Sequence, residues 1–108
     1  MRITITARHC DIPDELRARA RTLVERLGRV ATRPHDAQVL FGEDHGTPTV
    51  ELRVHAARGV MHVATADGED HRSALDLAVA RVRRQLGKAA PKRRRVAAAR
   101  RAVERESR

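Results

Sequence analysis

Thr49-Val50-Glu51-Leu52-Arg53-Val54-His55 alternates apolar and polar residues without a break. A strand turns successive side chains to opposite faces. This run therefore buries Val50, Leu52 and Val54 on one side and presents Thr49, Glu51, Arg53 and His55 on the other. Upstream, residues 36–42 place Ala37, Val39 and Phe41 on a single face, and Glu43-Asp44-His45-Gly46 reads as the turn between the two strands. Downstream, Ala57-Arg58-Gly59 reads as a second turn, and residues 60–66 as a further strand of less clear polarity. Three consecutive strands on short turns pair antiparallel.

Toward the N-terminus, Ile3 and Ile5 alternate with Thr4 and Thr6, which predicts another half-buried strand over residues 2–7. Asp11-Ile12-Pro13-Asp14 predicts a helix start, with Asp11 as cap, Pro13 in the first turn, and Asp14 and Glu15 complementing the dipole. Leu16, Ala20, Leu23, Val24 and Leu27 then form one helical stripe, and Gly28 is expected to end it. Arg33-Pro34-His35 marks a break. Asp67-Gly68-Glu69-Asp70 leads into a second helix, about residues 72–86, with a buried stripe of Leu75, Val79, Val82 and Leu86. The order β-α-β-β-β-α predicts a two-layer α+β sandwich, a four-stranded sheet with both helices on one face and the other face exposed.

The chain has 108 residues, enough for a single domain, and 41% hydrophobic residues, in the range of a folded chain. Aromatic residues amount to 1%, with Phe41 alone, so base stacking on exposed rings and aromatic ligand cages are excluded. No apolar run reaches the ~20 residues of a membrane span, and no secretory leader is evident. A single cysteine, Cys10, allows no intrachain disulfide, and the chain reads as cytoplasmic.

Charge is the strongest compositional signal. Lys and Arg total 23 against 14 Asp and Glu, a net +9. Nearly all of the basic residues are Arg, whose planar fork binds two phosphate oxygens at once. Residues 88–108 hold nine basic and two acidic residues, whereas residues 1–87 hold 14 and 12. The body is thus nearly balanced, and its function depends on where its charges lie. The division is a domain over residues 1–88 and a basic tail over residues 89–108. The tail, opened by Pro91 and Lys92-Arg93-Arg94-Arg95, is expected to be disordered and solubilising. Its sharper readings are ordering on RNA, through Lys92, Arg93, Arg94 and Arg95, and a nuclear-import signal.

Within the body, Arg81, Arg84 and Lys88 fall opposite the second helix's core stripe, with Arg83 flanking. In the first helix Arg17 and Arg21 flank one edge of the stripe, and Arg19 and Arg26 the other. Charge opposite a core stripe is usually a solvated face. From Ala80 to Lys88, however, the second helix carries four basic residues and no acid, which favours contact with phosphates.

These residues also carry a resemblance. Ile3-Thr4-Ile5-Thr6, Asp11-Ile12, Leu16-Arg17 and Arg26-Leu27 are similar to the start of the short-form bacterial ribosome-associated translation inhibitors, or hibernation-promoting factors. Asp70-His71-Arg72-Ser73-Ala74-Leu75-Asp76 resembles the family's Asp-x-Tyr-x-Ala-Ile-Asp, matching at Asp70, Ala74 and Asp76. Residues 81–88 look like its basic helix end, with Arg84-Gln85-Leu86 and Lys88 in place. The similarity covers about residues 1–92. Arg72 stands where Tyr is usual, and Leu23 where Lys is often found.

The resemblance implies a fold similar to double-stranded RNA-binding domains. It further implies binding to the small ribosomal subunit, in the channel for messenger RNA and transfer RNA anticodon ends, with translation blocked and idle ribosomes protected in stress or stationary phase. Arg81, Arg84 and Lys88, with Arg17, Arg26 and Arg83, would contact ribosomal RNA phosphates. Asp70 would cap the second helix and Asp76 would fix neighbouring Arg side chains. The alternative is a module for structured RNA outside the ribosome.

A third class, an enzyme or metal protein, finds little support. His9, Cys10 and Asp11 are consecutive and alternate faces on a strand. His55 and His62 could meet across a hairpin, but two ligands leave a site incomplete. Asp67, Glu69, Asp70 and Asp76 are better read as helix-start acids. Gly42, Gly46 and Gly59 are isolated turn glycines rather than a phosphate loop. The expectation is a non-enzyme with no cofactor, no metal, no small-molecule substrate and no membrane partner.

Overall fold

The computed structural model describes residues 1–88, so the readings on the tail, including Lys92, Arg93, Arg94 and Arg95, lie outside the described residues. Strand β1 (Arg2–Ala7) leads to helix α1 (Asp14–Val30), then β2 (Asp36–Asp44), β3 (Thr47–His55) and β4 (Met61–Asp67), and finally helix α2 (His71–Lys88). The expected α+β order is the observed one. The sheet runs β1-β2-β3-β4. β1 pairs parallel to β2, the geometry a helical crossover allows, and the two later pairings are antiparallel.

The alternation sets the layers. Ala37, Val39, Phe41, Val50, Leu52 and Val54 are fully buried beneath the helices. β4 contributes His62, Ala64 and Ala66 to the same face, while Met61, Val63 and Thr65 point outward. α1 buries Ala20, Val24 and Leu27 as its stripe requires, with Leu16 and Leu23 partly buried. α2 buries Leu75, Val82 and Leu86 as expected, together with Ala74 and Ala78, whereas Val79 is only partly buried. The buried residues Ala74 and Ala78 of α2 and Ala64 and Ala66 of β4 are all small, so the helix can lie close over that strand.

The turns follow from local chemistry. Between β2 and β3 only His45 and Gly46 lie outside the strands, both at positive φ (54° and 83°). That is the two-residue hairpin in which left-handed backbone conformations at both positions match the right-handed twist of the paired strands. It is tighter than the four-residue turn expected. The Ala57–Gly59 turn is a short 3-10 segment with Arg58 and Gly59 also at positive φ.

Three expectations are corrected. Asp11 does not cap α1: the N-cap is Pro13, and no side chain bonds there, because the helix begins at Asp14, too far along the chain. Gly28 does not end α1: the helix runs to Val30, with Gly28 inside it and the Met1 side chain packed where a Cβ would project. His55 and His62 do not meet: His62 pairs with Val54 in register and faces the helices, while His55 faces the open side, where its Nδ1 lies 3.0 Å from Asp36.

Candidate nucleic-acid interface

The folded chain separates charge by layer. α1 and α2 together hold ten Arg or Lys and four acids, a surplus of +6. The strands and loops of residues 1–88 hold five and eight, a deficit of −3. On the open sheet face, Arg53 donates to Glu51 at 2.5 Å, and His55 lies against Asp36. The helical side is therefore the positively charged side, a property the small net charge of the body conceals.

Among the described residues, one ion pair bridges the two helices. Arg19 donates from Nε and Nη2 to the two carboxylate oxygens of Asp76 at 3.0 and 3.1 Å, a fork across 57 residues of sequence. Asp76 fixing an Arg side chain is thus observed. Both N-termini lie side by side: Pro13, Glu15, Leu16 and Arg19 line a shallow depression with Asp70, His71 and Arg72. The helices accordingly run in parallel. Asp70 caps α2 by accepting from the Ser73 backbone N–H at 2.7 Å. That bond, more than the nearby Arg72 and His71 charges, holds the Asp70 carboxyl below the ordinary carboxylate range. His71 Nε2 donates to the Gly42 carbonyl at 2.7 Å, and its ring stands edge-on to Phe41 at 5.8 Å. The start of α2 is thereby tied to both α1 and the sheet.

This register places the candidate arginines. Arg19 and Asp76 mark the flanks by which the helices face each other. At about 100° per residue, a position seven residues on returns near the same flank. Arg26 lies seven after Arg19 and Arg83 seven after Asp76, and both are exposed. Arg26 and Arg83 thus border the same interhelical groove, floored by the partly buried Leu23 and Val79. Beyond Asp76, α2 has no acid.

The other candidates are not brought together into one ridge. Arg84 is exposed and points away from the sheet by helical period. Arg81 lies on the flank over β4, where its Nη1 donates to the Thr65 carbonyl at 2.7 Å. Arg17, half-buried, is on the flank of α1 turned away from α2. Lys88 is the last residue of α2. In the sequence Arg19 is only an edge residue of the α1 stripe, yet in the fold it bridges the two helices. Its (i, i+7) relation to Arg26 was visible in the sequence, but its partner was not. Among the described residues no group of three His, Cys, Asp or Glu converges on a metal-sized site, and no helix is long and apolar enough to cross a membrane.

The comparisons agree with this architecture. Two solved structures are similar to the chain, each at 23% identity over 82% of its length. One is the Protein Y N-terminal domain of Thermus thermophilus, covered over 98% with a TM-score of 0.70. The other is a ribosomal subunit interface protein of Coxiella burnetii, covered over 97% with a TM-score of 0.71. These likenesses establish the shared fold. No curated protein matches the sequence. The sequence profile described as Sigma 54 modulation protein / S30EA ribosomal protein matches residues 3–94, most of the chain, and the chain belongs to that ribosome-associated family.

Proposed function

We propose that the chain binds the small ribosomal subunit through its helical layer, occupies the channel for messenger RNA and transfer RNA anticodon ends, and holds ribosomes idle in the bacterial cytoplasm. The observation that carries this reading is the +6 surplus on the helices against −3 elsewhere in residues 1–88. A body of small net charge with its charges segregated docks in one orientation, which a groove in ribosomal RNA requires. Family membership supplies the ribosome as the polyanion. The action is steric and electrostatic, with no bond made or broken and no cofactor.

Arg26 and Arg83 are assigned to phosphates along the groove, and Arg84 and Lys88 to phosphates beyond its end. Arg81 and Arg17 contribute from the two outer flanks. Phosphate contacts of this kind position the protein without reading sequence. The tail residues Lys92, Arg93, Arg94 and Arg95 add sequence-independent attraction.

Co-sedimentation with purified small subunits tests the reading. Arg26→Glu/Arg83→Glu/Arg84→Glu should lose binding while circular dichroism stays that of the parent. Binding that survives the triple change overturns the site. Binding lost only on deleting residues 89–108 moves it to the tail. Equal affinity for subunits and for an unrelated RNA duplex would favour the alternative, a general structured-RNA module.

A further inference from the structure

β4 is an outer strand of the sheet. Its ladder to β3 is bracketed by the Ala56 N–H on the Val60 carbonyl at 2.8 Å and the Gly68 N–H on the Pro48 carbonyl at 3.2 Å. In an antiparallel pair, bonded positions alternate with unbonded ones. Even-numbered residues of β4 therefore bond to β3. Met61, Val63, Thr65 and Asp67 turn their backbone groups outward.

Two of these outward carbonyls are taken by side chains of α2. Arg81 Nη1 donates to Thr65 at 2.7 Å, and Gln85 Nε2 donates to Val63 at 2.8 Å. The spacings match: four helical residues rise about 6 Å, and two strand residues about 6.8 Å. The helix reaches the edge because Ala64, Ala66, Ala74 and Ala78 let it lie close over β4.

The strand beneath needs such a cover. Met61–Asp67 contains no Pro, Lys or Arg, the residues by which edge strands usually repel pairing. Met61 and Val63 are exposed. The segment is also complementary to itself about Ala64. In antiparallel register Val63 faces Thr65 of a second copy and Met61 faces Asp67, so outward backbone groups meet only outward groups. At the other end of the sheet the same symmetry about Ile5 in β1 would set Arg2 against Arg8 of a second copy, a like-charge clash.

We propose that Arg81 and Gln85 guard the β4 edge, and that the partner they exclude is β4 of a second copy of this chain. The inference stands on backbone geometry and is independent of the ribosome-binding reading.

Arg81→Met/Gln85→Met removes both donors while keeping unbranched side chains of good helix preference. Sedimentation velocity should show the parent as a monomer and the double variant shifting to a dimer as concentration rises. Hydrogen exchange should show the Val63 and Thr65 amides fast in the parent and protected in the dimer. Adding Val63→Lys, a charge on the opened edge, should return the double variant to monomer. The proposal is overturned if the double variant stays monomeric with both amides unprotected. It is also overturned if its dimer survives Val63→Lys, or if the parent is already protected at both amides. Should the double variant fail to fold, Gln85→Met alone is judged by the same criteria.

Discussion

Asp70, just before α2, and Asp76, within it, lie six residues apart and do different work. Asp70 satisfies an orphan N–H at the helix start, as an acid in that place is expected to. Its carboxyl is held below the ordinary range, so its contribution to stability is present above the unfolded value of about 3.9 and is lost as pH falls through the lowered folded value. Asp70→Ala should lower the melting temperature at pH 7 and flatten its fall below pH 4, whereas Asp70→Ser should retain most of the cap. Asp76 instead reaches across to α1. Its pair with Arg19 is partly exposed, with 36% and 43% of the side chains accessible, so solvent screening limits its worth. A double-mutant cycle of Arg19→Met and Asp76→Ala should give a coupling of about 0.5–1 kcal/mol. Because the pair holds Arg19 on the flank that also carries Arg26, beside the flank of Arg83, Asp76→Ala should weaken subunit binding severalfold, although Asp76 is acidic and meets no phosphate. A rise in affinity, as simple charge removal predicts, would refute the positioning role.

The elements show where local chemistry decides and where packing overrides it. Gly46 is at φ +83°, where a Cβ is strained although the space is open. Gly46→Ala should destabilise by about 1–2 kcal/mol. Gly28 is the opposite case. It sits inside α1, and an added methyl would press on the flexible end of Met1, at 2.7 Å, and make ordinary contact with Pro34, at 3.9 Å. Gly28→Ala should stabilise by up to about 1 kcal/mol through helix propensity, read by chemical denaturation. Gly28 looked like a helix stop because glycine favours that role. The helix continues because Leu27 packs into the core and Val30 still completes its turn. Likewise Val79 fits the apolar period of α2, yet Ala74 and Ala78 lie deeper, since the close approach to β4 favours small side chains.

At the scale of the whole molecule, charge segregation makes binding depend on ionic strength. Subunit affinity should fall steeply as salt rises, with a log–log slope that lessens by about 0.7–0.9 for each phosphate-contacting arginine replaced by Gln. Arg26→Gln and Arg83→Gln should each lower the slope, and Arg53→Gln, bonded to Glu51 on the open face, should leave it unchanged. A uniform slope across all three would deny the helical layer its role.

The periodicities of two and 3.6 and the turn residues determined the strands, both helices, their order and the identity of most of the core, because those signals are local and repeat within each segment. The Asp70 cap and the basic run of α2 were legible for the same reason. Packing across the chain alone fixes that β1 lies parallel to β2, that Arg19 grips Asp76 on the groove bordered by Arg26 and Arg83, and that Arg81 turns to the β4 edge. Each of these depends on which faces meet across tens of residues. A helical period shows which side chains share a flank, but not what stands opposite that flank.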